Sequence, residues 1–144
     1  MTKKNIYITV ELDEALNLVY AESARRALAA PEVYRLTADN YRLLSQYMES
    51  AVRDLRTRMS GYVTLCSFNR HASERNVVLQ LTLQHAVPPS VDVAMHDALV
   101  AVLAYYALTR FYGDSDTYYG TAWRKYRAQM LLVLARDQAA LTQI

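Results

Sequence analysis

Glycine and proline are scarce: 3 of each in 144 residues. Turns are therefore few and elements long, which disfavours a sandwich or barrel of many short strands and favours a mainly helical fold. There is one cysteine, Cys66. It excludes an intrachain disulfide framework and a cysteine-built zinc cluster. Charge of one sign is also lacking. The net charge is +2, short of the concentrated basic face that marks most nucleic-acid binders. The longest apolar uncharged run, Ala98 to Thr109, is shorter than the roughly 20 residues of a membrane span. Met1-Thr-Lys-Lys leads into an alternating, then acidic segment instead of a signal peptide. A soluble cytoplasmic product is expected.

What is present is a chain that is 53% hydrophobic and 21% charged, enough for one domain with a real core. Arginine outnumbers lysine 13 to 3 and tyrosine outnumbers phenylalanine 12 to 2. Arginine favours planar contacts to carboxylates, phosphates and rings. Tyrosine covers apolar area while keeping a hydroxyl wet, which suits core edges and interfaces.

Ile6, Ile8, Val10 and Leu12 alternate with polar residues and predict a short N-terminal strand. A helix is expected from Asp13 to Ala30, with Leu12, Leu16, Val19, Tyr20, Ala24 and Ala27 on one face and Pro31 at its end. Thr37 is a natural N-cap for a second helix to Ser60. There Tyr41, Leu44, Met48, Ala51, Val52, Leu55 and Met59 repeat at three and four, and Gly61 ends the run. Tyr62 to Phe68 and Asn76 to Gln84 read as two strands of a hairpin. The polar connection Asn69 to Arg75 is too long for a two-residue turn and is expected to project.

After Pro88-Pro89, Ser90 is expected to cap a helix to Tyr112 that is apolar on nearly every side. Such a helix must be covered by other elements and forms the centre of the fold. Gly113 is placed to end it. Ser115, with Asp116 in the first turn, is expected to cap a last helix to Ala140. Its stripe is Tyr119, Ala122, Trp123, Tyr126, Met130, Val133, Leu134 and Leu141, with Arg124, Lys125, Arg127 and Arg136 outward. The order is β-α-α-β-β-α-α. The expected fold is mainly α: a four-helix bundle with a β-hairpin inserted between helices 2 and 3 and a short N-terminal strand, all in one domain, 1–144.

No motif specifies a catalyst. Asp92 and His96 lie four apart on the central helix, a spacing that can hold a metal, but no third ligand follows at helical spacing. A packed or solvated pair at the helix start accounts for them. His71 falls on the hairpin tip, and His85 closes a strand without an evident partner. Cys66 in a strand reads as a small buried hydrophobe, not a nucleophile. Asp13/Glu14 and Asp114/Asp116 sit at helix starts, where the helix dipole explains them. Arg53, Arg56 and Arg58 are interleaved with Glu49 and Asp54, so four-apart ion pairs such as Glu49 with Arg53 explain much of that face. Tyr105 and Tyr106 cannot both point into one core, so at least one faces another element or another chain.

The segment Val87-Pro-Pro-Ser-Val-Asp-Val-Ala-Met-His-Asp-Ala-Leu-Val-Ala-Val-Leu-Ala-Tyr-Tyr-Ala-Leu-Thr-Arg-Phe-Tyr resembles the third-helix region of head–tail connector proteins of tailed bacteriophages. The order of elements is similar too. The opening Ile-Tyr-Ile-Thr-Val-Glu-Leu-Asp-Glu-Ala and the stretch Tyr-Tyr-Gly-Thr-Ala-Trp-Arg-Lys-Tyr resemble those of Bacteroides-type phages and prophages. The N-terminal strand is a departure that many connectors lack.

The resemblance implies a structural virion protein of the neck, made in the bacterial host cytoplasm and not an enzyme. About a dozen copies would form a homo-oligomeric ring under the portal and extend the DNA channel to the tail. The partners implied are other copies, the portal protein and tail-side neck proteins, with DNA only as passing cargo. No cofactor, metal, membrane or small-molecule substrate is implied. The expected contact residues are Arg53, Arg56 and Arg58 on the second helix and Arg70, His71, Glu74 and Arg75 at the hairpin tip. Deleting Asn69 to Arg75 is expected to leave a folded monomer that cannot assemble. The alternative is a small helical binding or regulatory protein without catalytic activity.

Overall fold

Strand β1, Lys3–Glu11, passes into helix α1, Leu12–Ala29, with no linker between them. The Glu14 carboxylate accepts the Glu11 N–H at 3.0 Å and closes the first turn. The computed structural model describes residues 2–71, 73–113 and 117–142. After α1 come a 3-10 turn at Ala38–Asn40, helix α2 at Tyr41–Arg58, strand β2 at Val63–His71 and strand β3 at Glu74–Val87. Helices α3, Ser90–Tyr112, and α4, Thr117–Thr142, complete the chain. The fold is mainly α, with four helices and one antiparallel sheet of order β1-β3-β2.

Alternation sets the two faces of this sheet. Ile6, Ile8 and Val10 of β1 and Val77, Leu79, Leu81 and Leu83 of β3 are buried, while Tyr7, Thr9 and Thr82 on the opposite face are exposed. Helix α3 lies behind β1 and touches α1, α2 and α4; α4 also packs on β3, and α2 on β2. Its buried residues are Met95, Leu99, Val102, Leu103 and Leu108 together with Ala98, Ala101, Ala104 and Ala107. The small alanines allow close approach by neighbours on several sides, which is why a 23-residue helix serves as the centre. By length and composition alone α3 is also apolar enough to cross a membrane.

Several boundaries differ from the sequence reading. Pro89, not Ser90, stands at the N-cap of α3, and Ser90 is its first helical residue. Thr37 caps the 3-10 turn through the Asp39 N–H, and α2 starts four residues later. Gly113 ends α3 with φ +81°, a left-handed conformation that a side chain would strain. The expected caps Ser115 and Asp116, with Asp114, lie outside the described residues, as does the Leu141 side chain.

The largest difference is the hairpin. Its strands extend through the expected connection: Asn69 pairs with Asn76, Arg70 with Arg75 and His71 with Glu74, leaving only residues 72 and 73 between strands. Polar side chains are stable there because the strand end is solvated, and Asn69 and Asn76 bond across the ladder at 2.8 Å. The tip does not stand clear of the body. Tyr41 of α2 donates its hydroxyl to the Arg70 carbonyl at 2.7 Å, and the Arg75 guanidinium lies 3.9 Å from the Tyr41 ring centroid.

Candidate interface along α2 and the β2 edge

Arg42, Glu49 and Arg56 are seven apart in sequence, two helical turns, and so share one face of α2. That face lies beside β2, which runs back along α2. Three hollows follow the seam. One of about 320 Å³ is lined by Tyr41, Arg42, Ser45, Gln46 and Arg70. The next, about 400 Å³, is lined by Glu49, Phe68, Asn69, Arg70, Ser73 and Glu74. The last, about 340 Å³, lies between Arg56 and the segment from Ser60 to Cys66. They lie in turn beside β2, from Arg70 at one end to Val63 at the other, and form one groove.

The structure brings most of the expected contact residues to this side, in unequal states. Arg53 pairs with Glu49 at 3.3 Å, the four-apart pair read from the sequence. Arg58 pairs with Asp54 at 3.1 Å, and Asp54 also holds Arg127 of α4 at 3.1 Å. Arg127, expected to face outward, is thus largely covered, and it also lies over the Trp123 ring. Arg70 approaches Glu49 at 3.6 Å, yet its Nη1 is buried without a hydrogen-bond partner. Arg75 is spent on Tyr41, and Glu74 is exposed. The His71 backbone pairs in the ladder; its side chain lies outside the described residues. Arg42 and Arg56 are exposed and make no ion pair among the described residues. Tyr41 read as core, Glu49 as the partner of Arg53, and Arg42 was not singled out; the seven-residue spacing of Arg42, Glu49 and Arg56 was the available signal.

Burial raises the Tyr41 hydroxyl pKa, with Arg75 and Arg70 opposing it. Burial likewise raises the Cys66 thiol, and nearby Arg56 only partly counters this. A thiol held up in this way stays protonated at neutral pH, the reverse of an activated nucleophile.

The two edges of the sheet differ. At the β1 edge, Asp92 of α3 accepts the Tyr7 N–H at 3.3 Å and pairs with Lys3 Nζ, so α3 meets that edge at its middle. At the β2 edge, the Arg70 carbonyl faces away from β3, toward Tyr41. By the two-residue alternation of a strand, the backbone groups of Phe68 and Cys66 face the same way. No hydrogen bond to them exists from outside the β2–β3 ladder among the described residues.

Elsewhere, Asp92 and His96 do not act as a pair. His96 contacts Asp97 at 3.0 Å and Glu14 at 3.3 Å, and these carboxylates, Asp97 first, raise its pKa. His85 has a partner after all: Asp137 of α4, buried, takes the N–H groups of Gln84 and His85 and the His85 ring. Among the described residues no group of three or more His, Cys, Asp or Glu could hold a metal. Tyr105 and Tyr106 both meet α4. Tyr105 stacks on Tyr119 and Tyr126, with burial pushing its pKa up to about 12, and Tyr106 meets Trp123 edge-on. No family model, curated protein or solved structure matches the chain.

Proposed function

We propose that this chain is a head–tail connector subunit of a tailed phage or prophage. Copies assemble into a closed ring under the portal and extend the DNA channel toward the tail. The reading treats the four helices as one bundle around α3, with the hairpin inserted between α2 and α3. It assigns no catalytic role, cofactor or membrane, and takes DNA as passing cargo. The site of action is the virion neck.

The observation that carries this reading is the unlikeness of the two sheet edges. A head-to-tail ring needs two different surfaces on one subunit. Here β1, met at Tyr7 by the acidic Asp92 of α3, and β2, met only at its Arg70 end by Tyr41 of an arginine-bearing helix, lie on opposite edges of one sheet. The sequence resemblance supplies the biological setting. The hairpin end, with Arg70, His71, Glu74 and Arg75, together with Arg53 and Arg56 beside β2 and Arg58 toward α4, supplies the contact residues in this reading.

Deleting Asn69 to Arg75 is no longer the right test, because those residues hold Tyr41 and the strand ladder. The test is the solution mass of the wild type and of an Arg53→Glu/Glu74→Lys double variant across a concentration series. The expected result is a large wild-type species and a folded, monomeric variant by circular dichroism. Equal assembly of both would remove these residues from the interface. The alternative, a small helical binding protein, is favoured by the open β2 edge alone, which a single extended ligand would fill. It predicts monomers throughout.

A further inference from the structure

The seam between α2 and β2 combines an unpaired strand edge with unpaired arginines. An open edge is a template for an incoming strand. Proteins usually guard such edges with proline, inward charges or a covering element. At β1, Asp92 of α3 takes the Tyr7 N–H in the middle of the edge. At β2 there is no proline, and the one bulge sits between Val63 and Leu65, at the start of the strand. Cys66 and Phe68 thus offer N–H and C=O groups to the outside over the middle of the groove.

The side-chain chemistry indicates what fills it. Arg56 stands at the level of Thr64 to Cys66 and Arg42 at the level of Arg70. Both lack ion pairs among the described residues. Beside Arg42, Arg70 Nη1 is buried and reaches Glu49 only at 3.6 Å, without a hydrogen bond. Only Glu49 and Glu74 oppose these cations within the groove, and Glu49 already serves Arg53 and Arg70. Carboxylates would satisfy the two exposed guanidinium groups, Arg42 and Arg56, with charge-assisted hydrogen bonds.

A second copy of the chain is a poorer match for the added strand. In a two-fold β2–β2 pairing centred on Ser67, position 64 of one copy meets position 70 of the other. That sets Arg56 against Arg42, like charge against like. A head-to-tail β1–β2 pairing is disfavoured because it would displace Asp92 and Glu14 from the Tyr7 and Glu11 N–H groups on β1.

We propose that the open edge of β2, with Arg42 and Arg56 at the two ends of the groove, binds an extended carboxylate-bearing segment of another protein as a fourth strand. This rests on the same face as the connector reading but not on ring closure. In a neck it would tie the subunit to an adjoining protein; the β2 edge and Arg56 would then not serve contacts between copies, which would fall to Arg53, Arg58 and the side chains of the hairpin end.

The test uses the full chain and two synthetic peptides, acetyl-Glu-Thr-Val-Thr-Val-Thr-Glu-amide and the same peptide with lysine at both ends. Each is symmetric in composition, so strand direction does not matter. Binding is read by calorimetry and by amide hydrogen exchange. The acidic peptide is expected to bind and to slow exchange at Cys66 and Phe68. Arg42→Glu and Arg56→Glu, both at exposed positions, are each expected to weaken it by roughly tenfold or more, the worth of one charge-assisted pair. Backbone N-methylation of the central peptide residues should abolish binding.

The proposal is overturned if the acidic peptide does not bind at millimolar concentration, if the lysine peptide binds as well, or if binding leaves Cys66 and Phe68 exchange unchanged. It is also overturned if those amides become protected with rising protein concentration and no peptide, which would make a second copy the occupant. Ring formation by the same sample is scored separately, so either idea can fail without the other.

Discussion

Replacing Asp137 with alanine removes the contact that fastens the end of β3 to α4. Its carboxylate accepts the Gln84 N–H at 3.0 Å, the His85 N–H at 2.8 Å and His85 Nδ1 at 3.1 Å, and the residue is 5% exposed. A hydrogen bond to a charged group contributes about 1.5–3 kcal/mol net. The donors lie on a partly exposed strand end, so water recovers part of the loss, and we expect Asp137→Ala to cost about 3 kcal/mol. At about 3 °C per kcal/mol for a chain of this size, Tm falls by roughly 9 °C. Asp137→Asn keeps one acceptor oxygen and should cost about half as much. Burial alone would raise the Asp137 pKa, but the two backbone N–H groups and the His85 ring outweigh it and leave the pKa lowered. A lowered carboxylate stabilises the fold above its unfolded value near pH ~4, and that stability is lost as pH falls through the folded value. The gap between wild type and Asp137→Asn should therefore be full at neutral pH and close in acid. Urea denaturation at a series of pH values measures it. A neutral-pH loss for Asp137→Ala under about 1 kcal/mol, or an Asp137→Asn gap that stays constant into strong acid, would refute the argument.

Leu103 is fully buried at the centre of α3; Leu103→Ala should cost about 2–5 kcal/mol by urea denaturation, and a smaller loss would mean α3 is not the packing centre. His96 has a raised pKa, so its stabilisation is present below the unfolded value near pH ~6.5 and lost as pH rises through the folded one. His96→Ala should therefore cost up to about 1 kcal/mol in mild acid, discounted for exposure, and less at alkaline pH. Tyr41→Phe removes the hydroxyl bonded to the Arg70 carbonyl. It should cost about 0.5–1.5 kcal/mol and speed amide exchange at the hairpin end, whereas unchanged exchange would mean the tip is not held by α2.

The central helix was legible because its ends are marked by backbone chemistry: Pro88-Pro89 before it and Gly113 after it. Its all-round apolar surface required cover, and β1, α1, α2 and α4 supply that cover. The apolar faces of α2 and β3 were legible from period alone. The hairpin end was not, because Asn69, Arg70, His71, Glu74 and Arg75 are polar and composition cannot separate a loop from a solvated strand end. Buried polar residues were also missed. Ser23 did not figure in the α1 stripe, yet it is buried, accepts the Leu36 N–H at 2.6 Å and bonds the Tyr112 hydroxyl at 2.8 Å. Asp137 falls three residues after Leu134 and seven after Met130, on the buried face of α4; a charge in that stripe was the clue that His85 had a partner. The groove was half legible. The arginines were visible, but the open edge beside them depends on which strand lies outermost, and strand order is set by tertiary pairing.

The most direct test of the connector account is electron microscopy of negatively stained protein taken from the top of a concentration series, with solution mass measured on the same samples. The account predicts closed rings of uniform diameter around a central channel, with a mass that is a fixed multiple of the 16.4 kDa chain. A protein that stays monomeric at every concentration, or forms only irregular aggregates, would contradict it.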